Sequence, residues 1–131
     1  MKRLSVIGST GSIGVSTLDI VAAHPDRFEI VALGAGRNVD LLAEQIDRFS
    51  PRLVAVKDGE TADRLRARTG DGCEIVTGVD GQVAVATIEG ADMLVSALVG
   101  AVGLTPTYAA LRGGRGVARG HKETQGVGGR L

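Results

Sequence analysis

The chain has 131 residues, enough for one domain with a real core. Fifteen Lys and Arg balance fifteen Asp and Glu, so bulk charge points to neither nucleic acid nor a membrane surface as partner. Aromatic residues make up 2% and glycines number 20; Val, Leu, Ile and Ala must therefore build the core, as in buried parallel sheets, and without a G-X-Y period the glycines exclude collagen.

In chain order, strand and helix patterns alternate. Residues 4–7 read as a strand. Residues 13–23 read as a helix with Val15, Leu18, Val21 and Ala22 on one face, stopped by Pro25. Residues 28–33 form the next strand. Asn38 then caps a helix to about residue 49, with Leu41, Leu42, Gln45 and Ile46 at helical spacing and Pro51 beyond its end. A strand at 53–56, a charged helix at 60–68, a short strand at 74–76 and a Val/Ala-rich helix at 81–88 follow. A strongly apolar strand at 92–98, a helix at 104–112 and the start of a sixth strand at 116–118 complete the series. This alternation predicts an α/β fold, a Rossmann-like doubly wound parallel sheet, with the loop after the first strand at the carboxyl edge where such folds bind ligands.

The lone Cys73 permits no internal disulfide, suits a reducing compartment and reads as a small hydrophobe. The start, Met1-Lys2-Arg3 and a largely apolar run of four residues before Gly8, is too short for a signal peptide, and the apolar stretch 93–105 is too short to span a bilayer. The expected location is the cytoplasm. His24 reads as a helix-end surface residue, and Asp58, Glu60, Asp71 and Glu74 read as solvated turn residues. The ending "RGGRGVARGHKETQGVGGRL" places Gly and Arg where a sixth strand and a helix belong, so an incomplete domain is expected.

The segment Gly8-Ser9-Thr10-Gly11-Ser12-Ile13-Gly14 carries the chemistry. A helix N-terminus offers unpaired N–H groups and partial positive charge. A phosphate reaches them only where the turn has little bulk. Gly8 permits the tight exit from the strand, Gly11 the approach of the phosphate, and Gly14 close packing of the helix against the sheet. Ser9, Thr10 and Ser12 add hydroxyls, and the first acid is Asp19. The spacing is a variant of the dinucleotide fingerprint. The tip of the second strand, Ala35-Gly36-Arg37-Asn38, lacks the acid that takes ribose hydroxyls in NAD sites. Arg37 is placed for a 2′-phosphate, with Asn38 as helix cap and further donor, so NADP is expected over NAD.

These residues resemble the opening of the 1-deoxy-D-xylulose 5-phosphate reductoisomerase family: the heptad at 8–14 with Ser16-Thr17-Leu18-Asp19, then Gly36, a basic residue at 37 and Asn38, Phe49-Ser50-Pro51, "ALVGAVGLTPTYAALRGG" from Ala97, and Lys122-Glu123-Thr124. The resemblance implies rearrangement of 1-deoxy-D-xylulose 5-phosphate and its NADPH reduction to 2-C-methyl-D-erythritol 4-phosphate, in non-mevalonate isoprenoid biosynthesis. It implies Gly8, Thr10, Gly11, Ser12 and Ile13 on the cofactor's diphosphate, and Gly36, Arg37 and Asn38 on its 2′-phosphate. His121 and Glu123 would lie at the cofactor and Lys122 at the phosphate substrate. It further implies a divalent metal, Mg or Mn, and a homodimer for the full-length enzyme.

Three departures stand out. His121 replaces the family's Asn, Arg119-Gly120 replaces a small apolar pair, and "QGVGGRL" replaces an apolar helix start. His121 either keeps the hydrogen bond, since a neutral imidazole has a donor and an acceptor, or sits exposed in a tail that has lost its register. The family's acidic metal ligands belong to a later domain. The expected division is a cofactor domain at 1–118 and an irregular tail at 119–131, with no catalysis by this chain alone. Two alternatives stay open: another NADP-dependent oxidoreductase, or a non-catalytic dinucleotide-sensing module. A short-chain dehydrogenase would need Lys four residues after Tyr108, where Arg112 stands, and Cys73 lies too early for a semialdehyde dehydrogenase nucleophile.

Overall fold

The computed structural model of the chain describes residues 1–98, 104–114 and 116–119. Six strands and five helices alternate: β1 (Lys2–Ile7), α1 (Ser12–Ala23), β2 (Phe28–Gly34), α2 (Val39–Phe49), β3 (Leu53–Val56), α3 (Gly59–Thr69), β4 (Glu74–Thr77), α4 (Gly78–Ala86), β5 (Met93–Ser96), α5 (Leu104–Arg112) and β6 (Gly116–Arg119). The strands form one sheet in the order β4-β3-β2-β1-β5-β6, and every pairing is parallel. The chain steps outward from β1 to β4, then returns across the sheet to lay β5 beside β1. Strand order reverses there, the point at whose carboxyl edge such folds bind ligands.

Side-chain alternation on the strands decides which helices cover which face. Val54 and Val56 point into one apolar layer with Leu18 and Val21 of α1, Leu42 and Ile46 of α2, and Leu65 of α3. Leu53 and Ala55 point into the other, with Val85 and Ala86 of α4 and Ala110 of α5. Small residues on the second face let α4 lie close to the sheet. One irregularity interrupts the register: Leu4 pairs with Ile30 but Ser5 with Ala32, so β2 carries an extra residue at Val31. That bulge puts Ile30 and Leu33, three apart, in the same layer.

The doubly wound parallel sheet expected from the sequence is the one observed. Element ends differ where a turn is tighter than its residues suggest. Helix α4 starts at Gly78 rather than at 81, because Gly78 (φ +74°) turns β4 straight into a helix with no loop. β5 is shorter than the expected 92–98, since the Asp92 carboxylate accepts the Arg3 N–H at 2.8 Å. β6 runs one residue further than expected, to Arg119, whose main chain pairs with Ser96 of β5. Residues 120–131 lie outside the described residues. Among the described residues no helix is long and apolar enough to cross a membrane.

Candidate cofactor site

β1 leaves the sheet at Gly8, whose φ is +78°. A side chain is excluded by that angle and by the Ala97 carbonyl carbon, 2.9 Å from where a Cβ would stand. The Gly8 and Ser9 amides both donate to the Gly34 carbonyl, at 2.8 and 3.0 Å, tying the turn to the end of β2. Gly14 closes over the turn itself: its Cβ would fall 2.1 Å from the Gly8 carbonyl oxygen. Its role is therefore to let the helix start fold back on the turn, rather than to let the helix approach the sheet. Gly11 is different. A Cβ there would meet only the Gly8 oxygen at an ordinary 3.7 Å, and the residue is exposed. The protein's own packing does not require glycine at 11, and the free space faces solvent.

Helix α1 begins behind Gly11 with no side-chain cap and no acid in its first turn. The Val15 amide donates to the Gly11 carbonyl at 2.9 Å. The amides of Ser12, Ile13 and Gly14 thus emerge from the helix end without intrahelical acceptors, at the positive end of the helix dipole. α2 and α3 start otherwise. The Leu41 amide donates to Asn38 Oδ1 at 3.2 Å, and the Thr61 amide to Asp58 Oδ1 at 2.8 Å. Thr10 is half-buried and Ser12 exposed, so their hydroxyls stay at the rim. Ser9 does not join them: it is fully buried, and its Oγ has no hydrogen-bond partner among the described residues. The turn is fixed from beneath by Gln45 of α2, 4% exposed, whose Nε2 donates to the Ser9 carbonyl at 2.8 Å.

The tip after β2 forms the other half of the site. The Ala35 amide donates to the Ala55 carbonyl at 2.9 Å and the Lys57 amide to the Gly36 carbonyl at 3.2 Å. Gly36 is exposed, with nothing within 4 Å of where a Cβ would stand. Arg37 and Asn38 are exposed beside it. Asn38 gives its Oδ1 to the cap and keeps its amide nitrogen free to donate. An Arg37 guanidinium nitrogen lies 3.8 Å from Asp58 Oδ2. Between the two halves lies a cavity of ≈ 230 Å³ lined by Gly8, Ala35, Gly36, Lys57, Gln82 and Leu98, among others.

Of the site residues expected from the sequence, Gly8, Thr10, Gly11, Ser12 and Ile13 share the turn, and Gly36, Arg37 and Asn38 share the facing tip. His121, Lys122 and Glu123 lie outside the described residues. Asp58 is solvated as expected, its side chain 43% exposed, but it also has a structural role: it caps α3, accepts the Thr61 hydroxyl at 2.6 Å and pairs with Arg37. The Thr61 hydroxyl and amide, then the Arg37 and Lys57 charges, hold its carboxyl below the usual aspartate range. The Asp-x-x-Thr spacing before the helix is the signal that reveals such a cap. Gln45, Lys57 and Gln82 were not singled out either; the Gln82 amide donates to the Ala35 carbonyl at 3.0 Å from 47 residues away. His24 is the exposed C-cap of α1, as expected. Cys73 packs against the core, and burial raises its thiol pKa, which disfavours the nucleophilic thiolate. Among the described residues no group of three or more His, Cys, Asp or Glu is gathered to hold a metal ion.

The model of the family described as 1-deoxy-D-xylulose 5-phosphate reductoisomerase matches residues 4–129. The chain belongs to this family. Membership sets aside a different NADP-dependent oxidoreductase. The reductoisomerase of Geotalea uraniireducens is 57% identical over 132 residues, covering 100% of this chain and 34% of its own length. That of Chlorobaculum tepidum is 52% identical, with 100% and 35% covered. The chain thus spans about a third of the length of the curated relatives it matches. Among solved structures, a reductoisomerase in complex with magnesium superposes with a TM-score of 0.86 at 34% identity, over 95% of this chain and 32% of that one. The Zymomonas mobilis enzyme in complex with NADPH gives 0.83 at 37% identity, over 90% and 31%.

Proposed function

We propose that this chain forms the NADPH-binding part of a 1-deoxy-D-xylulose 5-phosphate reductoisomerase, and that the β1–α1 turn and the β2 tip hold the cofactor's two charged groups. The single observation that carries this reading is an uncapped helix start and an exposed arginine tip whose neighbouring glycines, Gly8 and Gly36, line one cavity. Gly8 shapes the turn. The Ser12 and Ile13 amides, with the Thr10 and Ser12 hydroxyls, donate to the diphosphate, which comes close because Gly11 has no side chain. Gly36 leaves room at the ribose, and Arg37 and Asn38 donate to the 2′-phosphate. The apolar wall at Leu98 and Val79 takes the adenine side. His121 and Glu123 belong to the cofactor and Lys122 to a phosphate-bearing substrate in the same reading, on the strength of the Lys-Glu-Thr motif alone.

Bound at this site, the cofactor would supply the reducing equivalents for a rearranged sugar phosphate. The residues of this chain orient it and do not polarise the substrate. The described residues do not fit the magnesium present in relatives, since no acidic or histidine cluster is gathered among them. The reading therefore assigns the 131 residues cofactor binding without turnover. It also includes a cytoplasmic location and a homodimeric whole enzyme. The test is a titration of the chain with NADPH, NADH and adenosine 2′,5′-bisphosphate, repeated with Arg37→Ala. NADPH should bind more tightly than NADH in the parent chain and lose that advantage in the variant. Equal affinities in the parent would overturn the reading.

A further inference from the structure

Two charged side chains beside Arg37, those of Lys57 and Asp58, have no part in the binding scheme above. Asp58 follows Lys57, which lines the cavity, and faces Arg37, which follows the cavity-lining Gly36. Its two carboxylate oxygens do different things. Oδ1 accepts both the amide and the hydroxyl of Thr61, at 2.8 and 2.6 Å, which fixes the group on the start of α3. Oδ2 is turned to the Arg37 guanidinium at 3.8 Å. The carboxylate is held by the fold, whereas Arg37 is exposed on a long side chain and free to reorient.

We infer that Asp58 is an internal competitor for Arg37, occupying the guanidinium in the free protein and lowering the site's affinity for a 2′-phosphate; this rests on Arg37 being the partner of that phosphate. A carboxylate and a phosphate seek the same donor fork. An arriving phosphate monoester brings a charge of about −1.5 to −2 beside a fixed negative charge. It must therefore take Arg37 from Asp58 and also bear the repulsion. Both effects weaken binding, and both act on the 2′-phosphate far more than on a cofactor without one. Asp58 thus sets how strongly the site prefers the phosphorylated cofactor and how readily it releases it. Lys57, exposed and without an ion pair among the described residues, offsets part of the repulsion.

Asp58→Asn tests this cleanly, because asparagine caps a helix as well as aspartate and keeps an oxygen for Thr61. Adenosine 2′,5′-bisphosphate and adenosine 5′-monophosphate are titrated against the whole 131-residue chain, its D58N and R37A variants, and D58S as a second neutral cap should D58N fold poorly. In D58N the bisphosphate should bind about three- to tenfold more tightly at low salt, and the gain should shrink at about 0.5 M salt. The monophosphate should change by less than about twofold, being remote from the removed charge. A bisphosphate affinity in D58N that is unchanged or weaker, while R37A abolishes the preference for bisphosphate, overturns the competitor role and leaves the Arg37 reading standing. Equal tightening of both nucleotides also overturns the competitor role. A parent chain with no preference for the bisphosphate, or a preference that survives R37A, overturns the Arg37 reading and the competitor with it.

Discussion

The turn at residues 8–14 and the tip at residues 35–38 reach one cavity, through Gly8 and through Ala35 and Gly36, but are built on opposite plans. The turn is fixed from inside: backbone atoms fill the space beside Gly8 and Gly14, and buried Gln45 holds the Ser9 carbonyl. Its proposed binding groups are main-chain amides, which no substitution other than proline removes. The tip is held by a few main-chain bonds and presents exposed side chains. In the proposed reading, recognition of the diphosphate is therefore tied to folding, whereas recognition of the 2′-phosphate can be retuned one residue at a time.

The sharpest way to break this contrast is Gly14→Ala. Its Cβ would stand 2.1 Å from the Gly8 oxygen, and the helix start cannot move without pulling α1 out of its layer. A loss on the order of 3 kcal/mol is expected from denaturant melts; an unchanged melt would mean the turn is not fixed from inside. Arg37→Ala should leave stability within about 0.5 kcal/mol, as for exposed residues generally. It should cost about 1.5–3 kcal/mol of binding to adenosine 2′,5′-bisphosphate, typical of hydrogen bonds to charged groups.

Gln45→Leu leaves the Ser9 carbonyl without its buried donor. It should cost about 1–3 kcal/mol of stability, towards the lower end because Gln45 Oε1 is itself buried without a partner among the described residues. Affinities for NADPH and NADH should fall together; loss of NADPH binding alone would blur the division between turn and tip.

Gly36→Ala sharpens the contrast from the other side. Nothing stands within 4 Å of the new methyl, so the melt should move by less than about 0.5 kcal/mol, while cofactor affinity falls roughly tenfold if the ribose and phosphate approach as proposed. The smallest effect is that of acid. The folded state holds the Asp58 carboxyl below its ordinary range. The stabilisation is therefore full above the unfolded value and lost as pH falls through the lower, folded one. Melts of the parent should weaken more than those of Asp58→Asn below about pH 4, and parallel profiles would show that the cap and ion pair contribute no such term.

Much of the fold was legible because period, breakers and caps are local. Asn38 shows its cap and Pro51 its helix stop in the sequence itself, and three glycines between a strand and a helix announce the turn. What was not legible joins distant residues. Gln45 shows only its helical spacing with Leu41, Leu42 and Ile46, yet it reaches a carbonyl 36 residues earlier. Gln82 carries no local signal, but its amide meets Ala35. Asp58 reads as a solvated turn residue and is one; its cap can be read locally, its contact with Arg37 cannot.

By itself, the sequence determined the order of elements, the side-chain-poor turn and the basic tip, since each depends on the conformational limits of a few adjacent residues. Only the tertiary structure decided that turn and tip face one cavity, that Ser9 turns its hydroxyl inward and that Asp58 stands against Arg37. Those outcomes depend on how the sheet orders its strands and how α2 and α3 dock on it, and no local rule encodes the distance between segments that folding brings together.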